Sequence, residues 1–188
     1  MRRFLHLPFF ILTGLLVAAV GEYMFSVIVR QDWDNFLGSI FINSLYLLAV
    51  YLTSRLLFRW IKPPLAALLV YYFLYGFTGL MVEWFLIGNS PWGNPDASQW
   101  GMFAYWTALT MLPLIFTDPR PGLGRLRFVI TLSFSLFSVF SIAAGYLLPA
   151  GDLRFAAMIW LVILGYSALT VFYIPYARLV QNLPESIP

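Results

Sequence analysis

Two glutamates, Glu22 and Glu83, lie within long apolar runs that hold almost no other charge. A charged side chain at the centre of a bilayer costs roughly 2.5 kcal/mol or more, so such residues usually face the protein interior and have a function. Two kinds of chemistry suit this pair. A carboxylate can bind a cation, and two carboxyl groups together can act as general acid and general base.

Several polar and aromatic residues lie at a depth similar to that of these glutamates. With a helical rise of 1.5 Å per residue, Glu22 lies roughly 12 Å inside its helix end at Arg30, and Glu83 lies roughly 9 Å inside its end at Asn89. Asn43 lies about as deep as Glu22. The sequence therefore predicts a polar pocket within one half of the membrane. Its predicted binding residues are Glu22, Asn43, Glu83, Trp84, Tyr105 and Trp106, with Glu22 and Glu83 the candidates for catalysis.

Each glutamate continues a row of small residues along its helix. Small residues in membrane helices usually face other helices, because they allow the backbones to approach closely. We therefore predict that both carboxylates point into the bundle and that the helices carrying Glu22, Asn43 and Glu83 converge on one site. The two rows are Gly14, Ala18 and Glu22, and Gly76, Gly79 and Glu83.

The composition places these residues in a membrane protein. Of the 188 residues, 61% are hydrophobic and 10% are charged, whereas soluble domains average about 25% charged residues. The chain has no cysteine and a single histidine, His6, so neither thiolate nor histidine clusters can bind a metal. We expect no cofactor. The basic residues are dispersed among short loops and form no continuous basic surface, which argues against nucleic acid as a partner.

Six apolar stretches are each long enough to cross a bilayer, which requires about 20 helical residues. We predict an all-α bundle of six transmembrane helices that forms a single domain over residues 1–188. The first stretch has no clear small-residue cleavage site, so we interpret it as a retained helix rather than a signal peptide. The predicted spans are 4–29, 36–59, 63–88, 99–117, 126–149 and 153–177.

The basic residues predict the orientation of the bundle. All of them except Arg30 and Arg154 fall on one side when the loops are assigned alternately to the two faces. The positive-inside rule then places both termini in the cytoplasm and the predicted pocket in the outer half of the membrane. We interpret the group Arg120, Arg125 and Arg127 as a topology signal that anionic lipid headgroups or a cytoplasmic partner could also contact. We expect the protein in the bacterial inner membrane.

Three functions remain open from the sequence. Two carboxylates with nearby aromatic rings suit the binding or translocation of a small, cationic organic solute. The same groups suit a metal-free intramembrane isomerase or cyclase acting on a lipid or isoprenoid, with glutamates as acid and base and with aromatic rings that shield a carbocation.

The third hypothesis is that the chain is an accessory subunit of a larger membrane complex. Small and hydroxyl-bearing residues on the last two spans favour close helix packing and could contact a partner subunit or a second copy of the chain. The other partners we expect are membrane lipids. These packing residues are Ser135, Ser138, Ser141 and Gly145 on the fifth span, and Gly165, Ser167 and Thr170 on the sixth.

Overall fold

The chain is helical throughout its membrane-spanning part. A computed structural model describes residues 6–89 and 98–182. Six of its helices are long and apolar enough to cross a membrane, which confirms the predicted six-span fold. The spans are Leu7–Val29, Trp33–Trp60, Pro64–Ile87, Gln99–Thr117, Gly124–Leu147 and Asp152–Asn182.

Three of the spans are not single α-helices. The first and third each end in a π-helical segment, named π1 and π2, and the last is divided into two α-helices. In chain order the elements are α1 (Leu7–Glu22), π1 (Tyr23–Val29), α2 (Trp33–Trp60), α3 (Pro64–Val82), π2 (Glu83–Ile87), α4 (Ser98–Thr117), α5 (Gly124–Leu147), α6 (Asp152–Val171) and α7 (Tyr173–Asn182).

Helix α4 lies at the centre of the bundle and α5 at its periphery. Helix α4 packs against α1, α3 and α6, while α2 packs against α1 and α3, so the first four spans form a ring. Helix α5 packs on α6 and π1. Accordingly, 78% of the α4 span is buried but only 17% of the α5 span. The polar residues of α4 are therefore shielded from lipid by three neighbouring helices.

Small residues allow these helices to approach closely, as the spacing predicted. A Cβ atom on Gly14 would lie 2.5 Å from the side chain of Leu47 on α2, and one on Gly76 would lie 2.5 Å from Thr107 on α4. Gly79 faces the indole ring of Trp106 still more closely. These rows of small residues thus orient α1 and α3 so that their glutamates follow on the inward side.

The small residues of α5 and α6 also pack within the chain. A Cβ atom on Gly145 would lie 2.7 Å from Ile28 in π1, and Gly165 faces the ring of Phe137. Ser141 is buried. These contacts hold α5 against the rest of the bundle.

Several helix ends differ from those predicted. Helix α2 begins at Trp33 rather than at residue 36, because the side chain of Asp32 caps it and accepts a hydrogen bond of 2.9 Å from the Asn35 backbone N–H. The last span does not continue as one helix to residue 177. Pro175 has no N–H to donate to the preceding turn, and the helix is interrupted at Phe172. Residues 4–5 of the first predicted span, and residues 90–97 between the third and fourth spans, lie outside the described residues.

A buried polar cluster ties the α4–α5 connection to α7 at the end of the bundle opposite Glu22. Asp118 and Arg120 form an ion pair of 2.5 Å, and both side chains are almost fully buried. Tyr176 on α7 donates a hydrogen bond of 2.9 Å to Asp118, and the Arg127 guanidinium donates to the Asp118 backbone carbonyl. Arg120 and Arg127 therefore have a structural role that their charge alone did not predict, whereas Arg125 is exposed. We call Asp118, Arg120, Arg127 and Tyr176 the Asp118 cluster.

Burial alone would lower the pKa of Arg120, but its hydrogen bonds with Asp118 and the proximity of Tyr176 raise that pKa above the usual arginine value. The guanidinium therefore remains charged. Asp118 also accepts a hydrogen bond from Tyr176, and a buried pair stabilises a fold only where such additional hydrogen bonds are made.

Candidate functional site

Glu22 is the last residue of α1 and joins three helices. The Tyr105 hydroxyl of α4 donates a hydrogen bond of 2.8 Å to Glu22 Oε1. The Asn43 amide of α2 donates to the same oxygen at 3.3 Å and to the Tyr105 hydroxyl oxygen at 2.9 Å. Asn43 and Tyr105 are both buried. The Glu22 carboxylate is thus held from inside the bundle by residues of α2 and α4.

Glu83 occupies the corresponding place on the third span, where α3 gives way to π2. The Trp106 indole N–H of α4 donates a hydrogen bond of 3.1 Å to Glu83 Oε1. The Asn89 amide donates to Oε2 at 2.8 Å. Glu83 is only 7% exposed, so its carboxylate is enclosed by protein rather than by lipid.

Consecutive residues of α4 connect the two glutamates. Successive side chains on an α-helix point about 100° apart, so Tyr105 reaches Glu22 at the end of α1 while Trp106 reaches Glu83 at the start of π2. Their two rings meet edge to face at a centroid distance of 5.5 Å. The two carboxylates therefore belong to one site built around α4.

Each glutamate stands at a change from α-helix to π-helix. Beyond Glu22, the Arg30 N–H donates to the Phe25 carbonyl, and beyond Glu83 the Gly88 N–H donates to the carbonyl of Glu83 itself, each five residues back. These wider turns alter the direction in which the following side chains point. π-Helical segments occur frequently at functional sites, and here both lie at the same end of the bundle.

The oxygens of the two glutamates are used differently. Both oxygens of Glu83 accept a hydrogen bond. In the described part of the chain, the hydrogen bonds to Glu22 all reach Oε1, and this side chain is only partly buried. Glu22 Oε2 is therefore the carboxylate oxygen of the site that accepts no hydrogen bond from the described residues.

Neither carboxylate has a cationic partner among residues 6–89 and 98–182. The ion pair found there is that of Asp118 and Arg120, at the other end of the bundle. Arg30, at the same end of the bundle, forms no ion pair with either glutamate. In the same part of the chain, no group of three or more acidic or histidine side chains is arranged to hold a metal ion.

Polar residues at the rim of the site link π2 to the start of α4. Trp84 donates an indole hydrogen bond of 2.9 Å to Gln99, so it lies beside the site and joins π2 to α4. Gln99 in turn donates to the Asn89 carbonyl at 3.4 Å. Asn89 and Gln99 were not among the predicted binding residues, because polar residues at helix ends are too common in loops to stand out.

Two further tyrosines complete the aromatic surroundings of the site. Tyr46 packs edge to face on Trp106 with 4.7 Å between ring centroids, and Tyr166 of α6 packs in the same way on Tyr105 at 5.1 Å. The Tyr166 hydroxyl donates to the Val17 carbonyl at 2.7 Å. The contribution of α6 was missed because Tyr166 occurs in an apolar run with no charged residue beside it.

The structure thus brings five of the six predicted binding residues into hydrogen-bonded groups around α4, namely Glu22, Asn43, Glu83, Tyr105 and Trp106, and places Trp84 at the rim. Comparison of the chain with protein-family models, with curated proteins and with solved structures finds no match.

Proposed function

We propose that this chain binds or translocates a small organic cation at the Glu22 carboxylate. The observation that carries the proposal is a pair of carboxylates that are bonded to the consecutive residues Tyr105 and Trp106 and have no cationic partner within the described residues. Burying an uncompensated charge is costly unless an opposite charge or hydrogen bonds compensate it. A bound cation would supply the missing positive charge.

The hydrogen bonds at both glutamates support an acceptor role. An indole N–H can only donate, so the oxygen of Glu83 that faces Trp106 must accept. The remaining oxygen of Glu83 accepts from Asn89. At Glu22, Oε1 accepts two hydrogen bonds, which leaves Oε2 to accept from an ammonium or guanidinium group of a ligand.

The aromatic rings favour an organic cation over a simple metal ion. Tyr105 and Trp106 lie beside the two carboxylates, with Tyr46 and Tyr166 packed against them. A cation over the face of such rings gains about 0.5–2 kcal/mol. The alkyl or aromatic portion of the ligand would also be shielded from water by these residues.

The charge distribution supports an outward-facing site in a bacterial inner membrane. The loops nearest to Glu22 and Glu83 carry Arg30 and Arg154, whereas the remaining basic residues belong to the opposite end or the termini. We propose that this opposite end faces the cytoplasm, in accordance with the positive-inside rule. The ligand would then approach from outside the cell.

Thermal unfolding of the purified protein in detergent tests the proposal. We expect benzylammonium to raise the Tm in a saturable way and its neutral analogue, benzyl alcohol, to have no such effect. Glu22→Gln should abolish the shift, since it removes the charge that contacts the ligand. Glu83→Gln should weaken it, because Glu83 acts on the ligand at longer range.

Asp34→Asn is the matched control, because Asp34 is an exposed acid at the same end of the bundle. This variant should retain the full shift. The proposal is wrong if choline, tetramethylammonium and benzylammonium all leave the Tm unchanged, or if Glu22→Gln responds to them as the parent protein does.

The aromatic rings around the carboxylates also favour a second function, an intramembrane isomerase or cyclase acting on an isoprenoid or lipid. Tyr105, Trp106 and Tyr46 lie where they would stabilise a developing carbocation next to a proton donor. Mass spectrometry of the lipids that copurify with the protein distinguishes this function. An enzyme should yield a substrate and its isomer, and Glu22→Gln should leave only the substrate.

A further inference from the structure

A groove of about 300 Å³ runs between the first turns of α3 and helix α7, at the end of the bundle opposite Glu22. Its apolar part includes Leu65 and Leu69 on α3 and Ile174 on α7, all of which are exposed to the surroundings of the bundle. Its polar part consists of Arg178 and Gln181, also on α7. The groove therefore has an apolar part and a positively charged part.

The walls of this groove are held together from within. Tyr173 at the start of α7 donates a hydrogen bond of 2.7 Å to the Leu68 carbonyl of α3 and is itself buried. Tyr176 and Val180 face the interior on the same side of α7. Because the inner face of α7 is fixed in this way, its outer face presents Ile174, Arg178 and Gln181 at helical spacing along one side.

The order of these residues matches the depth profile of a lipid leaflet. Tyr173 at the start of α7 bonds to Leu68, one turn inside α3, and the groove also includes Leu65 and Gln181, so α7 runs toward the end of the bundle at which α3 begins. Ile174 lies four residues, roughly 6 Å, closer to the membrane centre than Arg178. The cationic residue is therefore at headgroup depth, and the apolar residues are at the depth of acyl chains.

Arg178 has the chemistry to select a phosphate. It is exposed and makes no ion pair with any acidic residue of the described chain. Arginine binds phosphate oxygens through two parallel hydrogen bonds, and the Gln181 amide one turn further on can donate another. Lys62, just before α3, is a second exposed cation near this boundary.

We propose that this groove binds an anionic phospholipid. One acyl chain lies against Leu69 and Ile174, and the phosphate is bound by Arg178 with the Gln181 amide. The site is separate from that of Glu22 and does not depend on the function proposed there.

Thermal unfolding in a neutral detergent with added short-chain lipids tests this proposal. Dioctanoyl phosphatidylglycerol should raise the Tm more than dioctanoyl phosphatidylcholine at equal concentration, and inorganic phosphate alone should have little effect. A hydrogen bond to a charged group contributes about 1.5–3 kcal/mol, so Arg178→Gln should weaken the apparent affinity for phosphatidylglycerol at least about tenfold. Arg125→Gln, which removes an exposed arginine outside the groove at the same end, should leave that affinity unchanged.

Two further variants separate the parts of the site. Gln181→Leu should weaken phosphatidylglycerol binding while preserving the fold, because Gln181 is exposed. Ile174→Gln should weaken binding of the dioctanoyl lipid through its acyl chain. Equal shifts with phosphatidylglycerol and phosphatidylcholine would overturn the proposal. So would an equal shift with inorganic phosphate, or an equal loss of affinity in Arg178→Gln and Arg125→Gln.

Discussion

The side chain of Glu22 is fixed by a closed set of hydrogen bonds. The Asn43 amide donates to both Glu22 and Tyr105, and the Tyr105 hydroxyl donates to Glu22. Every bond in this set connects a different pair among α1, α2 and α4. A carboxylate that is held in one orientation before a ligand arrives loses less conformational freedom on binding, which favours affinity.

Gly79 is the residue on which the position of Trp106 most directly depends. A Cβ atom at this position would overlap the indole ring, so Gly79→Ala should displace Trp106 from Glu83. We expect a loss of about 1–3 kcal/mol in the free energy of unfolding, the usual cost of overpacking a core. Unfolding by SDS in mixed micelles measures it.

Gly38→Ala is the control for this substitution. Gly38 lies on α2, and a Cβ atom there would have nothing within 4 Å. The same chemical change should therefore be neutral or should stabilise the helix by about 0.5–1 kcal/mol. If the two alanine variants had the same stability, the close contact between α3 and α4 would not exist as described.

The sequence predicts the depth of the polar residues but not which of them bond to one another. Depth follows from counting residues, and the inward direction of both glutamates follows from the small residues that precede them. Neither observation predicts the exact direction in which each side chain points around its helix. Glu83 and Trp84 are adjacent and equally deep, yet Glu83 bonds to Trp106 on α4 and Trp84 bonds to Gln99 at the rim.

Among the helices, the site depends on the central position of α4, which is surrounded by other helices of the bundle. The first and third spans each contribute a glutamate, and α4 contacts both glutamates with two consecutive residues, Tyr105 and Trp106. A peripheral helix could not present two neighbouring side chains to two different partners without exposing one to lipid. The central place of α4 was not predicted, because hydrophobicity in a membrane does not distinguish a central helix from a peripheral one.

The π-helical segments were also beyond prediction from the sequence. An α-helix and a π-helix of apolar residues look alike in composition, and neither Tyr23–Val29 nor Glu83–Ile87 contains glycine or proline to indicate a change. Only the backbone hydrogen bonds reveal the wider turn. The break before α7 is different, because Pro175 gives a local chemical reason for it.

The Asp118 cluster connects the α4–α5 connection to α7 and should contribute strongly to stability. Asp118→Asn leaves Arg120 buried without its counter-charge, and breaking a buried ion pair in this way costs about 3–5 kcal/mol. Tyr176→Phe removes one hydrogen bond to a charged group and should cost about 1.5–3 kcal/mol. Unfolding by SDS in mixed micelles gives both values.

The control for Asp118→Asn is the same substitution at the exposed acid Asp34. Asp34→Asn removes the same charge from a solvated position in the first turn of α2 and should cost less than about 1 kcal/mol. An equal loss of stability in Asp34→Asn and Asp118→Asn would show that the buried pair does not stabilise the connection to α7.

Considered as a whole, the molecule has two polar regions of opposite kind at its two ends. In the Asp118 cluster, Asp118 is paired with Arg120 and accepts a hydrogen bond from Tyr176. The region of Glu22 and Glu83 carries two acidic groups without a paired cation in the described chain. The acid of the Asp118 cluster is paired with a cation of the chain itself. The two glutamates have no such partner, and under the proposed function a cationic ligand supplies the opposite charge.

The orientation of these two ends can be determined by labelling, because the chain contains no cysteine and any introduced thiol is unique. The positive-inside rule predicts that Asp34→Cys and Ala150→Cys react with a membrane-impermeant maleimide in intact cells. Pro121→Cys and Gln181→Cys, at the opposite end, should react only after the cells are permeabilised. All four positions are exposed, so access to the reagent reports the side of the membrane rather than burial. If the second pair were labelled in intact cells, the orientation would be the opposite of the predicted one, and the Glu22 region would face the cytoplasm.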